Sequence, residues 1–451
     1  MRTTGASLAI AALLTCVVAG PAAAADGDAR RISNEPAATL LIPYFEAQVP
    51  KKIGGKPSGV TTLVTVGNAS ASAGLLHVTI WTDLGIPVLN FDLYMTGYDQ
   101  VTFDMQDVLN GKIPFTADAG LDPTDTFGPG TGISNQGPLS QDINFPGSTG
   151  PCRPQVGGAP AVDTPLDATV IAHLRAALTG NASPLLNACA GLHYNDKKPI
   201  ARGYITIDDL NQCTTADPNQ LEYYNSIGVR NIWWGEYMTL DRSKKIGRGD
   251  AAVHIRAETN DAETLGPGSY TFYTRFEGIA SQSVRQPLAT TFFAPFDNVP
   301  KDPLYPQGTS FIVWRDPKVS SVAPFPCGTT PPWFPLQQDD LVAFDEQENP
   351  EDLSFFPPTP PAPPVPIVPF PAATQLVKLD TVAFPTTFTR GQIYLNLNTT
   401  VAAASNVPSE APGIMQNWVI AVRDNKNKYS VATRATHLDS ATHTNSVVFI
   451  P

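Results

Sequence analysis

The chain has 451 residues, 42% of them apolar and 16% charged, with 44 prolines, 34 glycines and a net charge of −12. It is too apolar for wholesale disorder, too weakly charged for a coiled coil and too rich in helix breakers for a helical bundle. An acidic chain with no basic run does not grip a phosphate backbone, so no nucleic-acid partner is expected.

Residues 1–25 read as a secretory signal peptide. Arg2 precedes an apolar run from Ala6 to Gly20, and Ala22-Ala23-Ala24-Ala25 offers a small-residue cleavage site before Asp26. The run is too short to cross about 30 Å of hydrocarbon, and no later stretch is long enough. The expected location is therefore secreted or periplasmic, with no membrane span in the mature chain. Cleavage removes Cys16 and leaves Cys152, Cys189, Cys213 and Cys327. An even set in an exported protein reads as disulfides. The connectivity is open, and pairing of neighbours (Cys152–Cys189 and Cys213–Cys327) is one of the arrangements.

Strand periodicity follows. The segment from Ala37 to Ala47 is apolar, and in Gly59–Val66 the residues Val60, Thr62, Val64 and Val66 fall on one face. Leu76, Val78 and Ile80 alternate with His77, Thr79 and Trp81; Leu89, Phe91, Leu93 and Met95 alternate with polar neighbours; so do Val101, Phe103 and Met105. Sustained period two between turn residues predicts an antiparallel sheet with one buried face. Residues 32–115 are thus expected to form an immunoglobulin-like β-sandwich. Residues 116–200 read as a loop-rich insertion with one amphipathic helix at 165–179. Leu166, Val170, Leu174 and Leu178 form its stripe, Asp167, His173 and Arg175 its other face, and Gly180 its stop.

From residue 201 to 451 strand signals resume at Tyr204–Ile207, Glu236–Leu240, Ala252–Ala257, Ser269–Phe276, Leu288–Phe293, Thr309–Trp314, Thr374–Ala383, Gly391–Leu397, Trp418–Val422 and Tyr429–Thr433. They predict a second, larger β domain. The proline-rich segment 357–371 interrupts it as an extended polyproline II arm. The fold class expected is mainly β, in antiparallel sandwiches, with one helix and long Pro/Gly-rich loops.

Six blocks carry a resemblance: Leu40–Gln48, Val78–Asp99, Phe311–Lys318, Cys327–Leu336, Val342–Glu351 and Gly391–Thr400. They resemble a group of uncharacterised secreted bacterial proteins. The resemblance implies export and a single organised unit over most of the mature chain, and it carries no chemistry.

Catalytic motifs do not supply a reaction. There is no G-x-S-x-G elbow, no H-E-x-x-H, no C-x-x-C-H, no P-loop and no dinucleotide fingerprint, and His77, His173, His193, His254, His437 and His443 are scattered. Paired carboxylates from distant strands would still serve a glycosidase. No cofactor is required by the sequence; the ion that fits best is calcium, which takes oxygen donors on turns. Its candidate ligands are Asp339, Asp340, Asp345 and Glu346, with Asp118, Asp122 and Asp125 as a second set. His437, Asp439 and His443 form a weaker transition-metal set. Aromatic residues suit sugar rings, and Tyr224, Trp233, Trp234 and Tyr237 are the ligand-binding candidates. The expectation is a secreted, non-catalytic protein binding a surface polysaccharide or an envelope protein. The alternatives are an extracellular polysaccharide hydrolase and a structural envelope subunit.

Overall fold

The computed structural model describes residues 34–114 (without 73 and 96), 143–144, 166–257 (without 167, 213 and 215), 271–277, 284–299, 302–353 (without 318, 320 and 339), 368–379, 387–398, 415–425 and 428–440. Residues 1–25, read from the sequence as a signal peptide, and Asp118, Asp122, Asp125, Cys152, Cys213, Asp339, His443 and most of the proline-rich segment lie outside them.

Strands come first: β1 (Thr39–Gln48), β2 (Val60–Asn68), β3 (Gly74–Thr82), β4 (Pro87–Met95) and β5 (Gln100–Asp104), then the single turn α1 (Met105–Val108). After β6 (Ile143–Asn144) and helix α2 (Ala168–Ala177) follow β7 (Ile200–Leu210), β8 (Trp233–Asp241), β9 (Ile246–Ala251) and β10 (Val253–Ile255). The short α3 (Thr274–Glu277) leads to β11 (Ala289–Asp297), β12 (Thr309–Arg315), β13 (Asp340–Phe344), β14 (Pro350–Asp352) and β15 (Thr374–Lys378). The last strands are β16 (Arg390–Asn396), β17 (Asn417–Asn425), β18 (Tyr429–Arg434) and β19 (Thr436–Ser440).

The fold is mainly β, in three sandwich-like antiparallel sheets. Sheet I has the order β10-β1-β7-β3-β4-β6 and sheet II the order β5-β2-β8-β9. Sheet III runs β14-β13-β16-β11-β17-β12-β15, with β18 on β17 and β19 on β11. The boundary expected near residue 200 does not separate sheets. β7 lies between β1 and β3, and β8 pairs with β2 along its whole length from Val60–Asp241 to Asn68–Trp233. The early strands and residues 200–255 therefore build one sandwich together.

Its packing follows from alternation. Leu40, Val78, Phe91 and Ile207 occupy one face of sheet I and meet the inner face of sheet II, where Phe91 packs edge-on to Phe103 with ring centres 6.3 Å apart. Gly235 is required there: a Cβ would come within 2.9 Å of Leu40 Cδ1. Pro43 lies where β1 bulges between Ile42 and Phe45, the place in a central strand that tolerates a residue with no N–H.

The opposite face of sheet I is buried too, which corrects the expectation of one buried face. Trp81 stacks on Tyr204 at 5.4 Å, and Tyr204 meets Trp314 of sheet III edge-on at 5.8 Å. β3 is buried at all nine positions, His77 and Thr79 included. A polar alternation reads as a solvent face, but here a second layer covers it.

Sheet III buries apolar side chains both ways. On β12, Phe311 and Val313 belong to one core cluster and Ile312 and Trp314 to another; on β17, Val419 and Ala421 oppose Trp418, Ile420 and Val422 in the same division. Arg315, fully buried, braces the loops around this sheet by donating to the carbonyls of Leu336, Phe370, Gln337 and Leu397 at 2.6–3.1 Å.

Three local expectations change. Ser269–Phe276, read as a strand, ends in helical turn α3. His173 faces inward on α2 with Val170 and Leu174; its Nδ1 bonds Ser183 Oγ at 2.6 Å and its Nε2 bonds the Val88 carbonyl at 3.1 Å. The described disulfide joins Cys189 to Cys327, with Cα atoms 5.0 Å apart, rather than nearest neighbours in sequence. A two-residue bridge between Cys189 and Phe325 brings the two segments together.

Candidate functional site

An open groove of about 690 Å³ lies at one end of sheet III, on β11, β16 and β13 and the loops beyond them. Strand register builds its floor. Phe293 stands opposite Tyr394, Pro295 opposite Gln392, and Asp297 opposite Arg390, while Gln392 also faces Phe344 on β13. These residues alternate with Phe292, Ala294 and Phe296, which point into the core. Phe293 and Phe344 stack at 5.9 Å with planes 26° apart, and both half-buried rings line the groove. Gly391 is needed beside them, because a Cβ there would lie 1.7 Å from the Phe344 carbonyl oxygen.

One rim is cationic and held in place. Arg390 donates from Nε to Asp297 at 3.1 Å and from Nη2 to Asp302 at 2.8 Å. The Asp297 hydrogen bond and charge raise the pKa of this guanidinium above its ordinary value. Asp302 is held below the usual carboxylate range, first by the backbone N–H groups of Tyr305 and Leu304 and then by Arg390. Arg423 donates to the Pro295 carbonyl at 2.8 Å and lies over the Tyr305 ring, 5.9 Å from its centre. Tyr305 is supported edge-on by Tyr429 at 6.3 Å.

The other rim is anionic. Asp345 accepts from the N–H groups of Gln347 and Asn349 at 2.9 and 2.8 Å and from Asn349 Nδ2 at 2.8 Å. These bonds, the Asn349 side chain foremost, lower its pKa. Glu346 and Glu348 stand exposed beside it, Glu348 in the left-handed region at φ 65°. Arg390 on one rim and Asp345 on the other are thus each held toward their charged forms beside an aromatic floor, which suits stacking of a sugar ring with hydroxyls hydrogen-bonded at the edges.

The aromatic residues singled out from sequence do not share a surface. Trp233 is fully buried and donates from Nε1 to Asp209 at 2.9 Å; Tyr237 is buried on the same inner face. Tyr224 is half-buried against Tyr223 and Tyr273 and donates to the Pro218 carbonyl at 2.7 Å. Trp234 faces outward on sheet II and lies on Gly67, where a Cβ would meet the indole at 2.2 Å. Of the acidic set, Asp345 and Glu346 line the groove and Asp340 begins β13 away from it. Asp345 turns its oxygens toward its own loop. Among the described residues no three His, Cys, Asp or Glu side chains gather as metal ligands. His437 sits between Phe292 and Trp418, where burial, helped by Arg434, pushes its pKa down to about 4.

Sequence reasoning reached the acidic rim but missed Phe293, Phe344, Arg390 and Arg423. The run Thr-Thr-Phe-Phe-Ala-Pro-Phe-Asp has aromatic residues on both faces, so periodicity alone does not say which ring is left for a ligand. Among the described residues, no helix is long and apolar enough to cross a membrane. No protein-family model, no curated protein and no solved structure matches the chain.

Proposed function

We propose that the protein is exported and binds an extracellular polysaccharide in the groove on sheet III without cleaving it. The observation that carries this reading is the stacked Phe293–Phe344 floor between an arginine rim and a carboxylate rim. Flat rings bind the C–H faces of sugars, and tethered charged groups take up hydroxyls with little loss of side-chain freedom. Export is supported by the signal-like residues 1–25 and the Cys189–Cys327 disulfide, which persists in oxidising compartments. Cleavage would need a carboxylic acid kept protonated by burial near a second carboxylate. Glu346 and Glu348 are exposed, and Asp345 is held ionised.

The test is co-sedimentation of residues 26–451 with insoluble polysaccharides and cell-wall preparations, with the supernatant assayed for released sugar. The expected result is retention on one polymer without release, weakened about tenfold or more by Phe293→Ala and Phe344→Ala. Release of sugar would replace this reading with a hydrolase. Retention untouched by both substitutions would remove the groove as the site.

A further inference from the structure

The charges around the groove narrow the class of sugar it takes. Four carboxylates line it, those of Asp297, Asp345, Glu346 and Glu348, against two guanidiniums, those of Arg390 and Arg423. Asp302, bonded to Arg390, adds a further carboxylate behind the cationic rim. The groove is therefore acidic in its own right, quite apart from the charge of −12 on the whole chain.

Its two cations are already engaged. Arg390 is shared between Asp297 and Asp302, at 3.1 and 2.8 Å, so two carboxylates answer one guanidinium. Arg423 donates to the Pro295 carbonyl and lies over the Tyr305 ring. The acidic rim is the reverse case. Asp345 is hydrogen-bonded within its own loop, by Gln347 and Asn349. Glu346 and Glu348 are exposed, and among the described residues no cation pairs with them. Carboxylates of the sandwich are treated differently: Glu35, Glu46, Asp104 and Asp250 are each paired with an arginine.

The shape of the groove says where a cation would come from. Its volume of about 690 Å³ falls within the roughly 300–1,000 Å³ of ordinary ligand pockets, and it is open to solvent along its length. A pyranose resting on the Phe293–Phe344 floor turns its axial C–H bonds toward the rings and its equatorial substituents outward, toward the rims. On the acidic side an equatorial hydroxyl would give Glu346 and Glu348 an ordinary hydrogen-bond partner. An ammonium in the same place would give a charge-assisted bond, shorter and about twice as strong. A carboxylate there would meet like charge.

We infer that the ligand of this groove, on the polysaccharide reading above, is a cationic amino-sugar polymer. Its pyranose rings lie on Phe293 and Phe344, and its free 2-amino groups, as ammonium, pair with Glu346 and Glu348.

The experiment is a calorimetric titration of the full chain with three short oligosaccharides of equal length and linkage. They differ only in the 2-substituent, which is an amine, an acetamide or a hydroxyl, and mildly acidic buffer keeps the amine charged. The amine form is expected to bind tenfold or more tighter than the other two at low salt. The margin should shrink as salt is raised toward 1 M, where the screening length is about 3 Å. Glu346→Gln with Glu348→Gln should erase it. Glu222→Gln with Glu236→Gln, the same change in net charge at exposed positions outside the groove, should leave it intact. Equal binding of the three oligosaccharides would overturn the inference while leaving the polysaccharide reading in place. A margin that survives Glu346→Gln with Glu348→Gln would overturn it as well, since the preference would then belong to the chain's overall acidity. Failure of the amine form to bind would also end it, and the polysaccharide reading would then stand or fall on the co-sedimentation of other polymers.

Discussion

Sheets I and III are both buried on two faces, yet they bury different things. The central strands of sheet III put Phe311, Val313 and Val419 on one side and Ile312, Trp314 and Trp418 on the other. Sheet I buries Leu76, Val78 and Ile80 on one side but a row of ionisable and hydroxyl groups on the other. Apolar burial is stabilising wherever packing is good and asks for no particular partner. Polar burial has to be satisfied atom by atom. Sheet III therefore tolerates variation that sheet I does not.

The largest effect should come from breaking the polar row of sheet I at Asp208. Asp208→Ala leaves the Tyr223 and Tyr273 hydroxyls without their shared acceptor, takes a buried carboxylate from beside Arg285, and should cost about 3–5 kcal/mol in urea unfolding. A loss under about 1 kcal/mol would break the comparison. Val419→Ala in sheet III removes two methyl groups from a filled core and should cost less, about 1–3 kcal/mol, with the same urea slope.

A pH profile sharpens the contrast. Burial raises the Asp83 carboxyl to about 7 and Asp316, beside Arg275, to about 6, both from 3.8. The folded state then holds protons that the unfolded chain has released, so stability falls as pH rises from about 4 to 7. Below that window both states are protonated, and above it the loss is complete. Asp83→Asn should flatten the upper part of the slope, read as Tm against pH. The smallest effect on folding belongs to the groove: Phe344→Ala should change stability by at most about 1–2 kcal/mol, since the ring is only half-buried, while polymer retention drops tenfold.

Much of the fold was legible in the residues. Alternation located β2, β3, β4 and β5, and Gly180, at φ 68°, marked the end of α2. What alternation does not carry is the identity of the neighbour. His77 and Thr79 read as solvent-facing because period two separates two faces without saying what covers them. β7 and β8, more than a hundred residues away from their partners, complete the early sandwich through pairings of long sequence separation. The acidic rim of the groove was visible as a charged run. Its aromatic floor depends on β11, β16 and β13 meeting, a juxtaposition no local pattern encodes. Cys189 and Cys327 were legible as bridge-formers, but that they pair with each other was not.

That staple also sets how the molecule would carry a load. Cys189 and Cys327 are 138 residues apart, so a pull on the two chain ends bypasses everything between them while the bond is intact. Roughly 480 Å of contour length stays locked in reserve, at about 3.5 Å per extended residue. Strands β7 to β12, which include the polar row's Asp208 and the groove's Phe293, fall inside the protected span. Pulled from both sides, the molecule would yield first outside the bridged span, and only reduction would let the rest pay out.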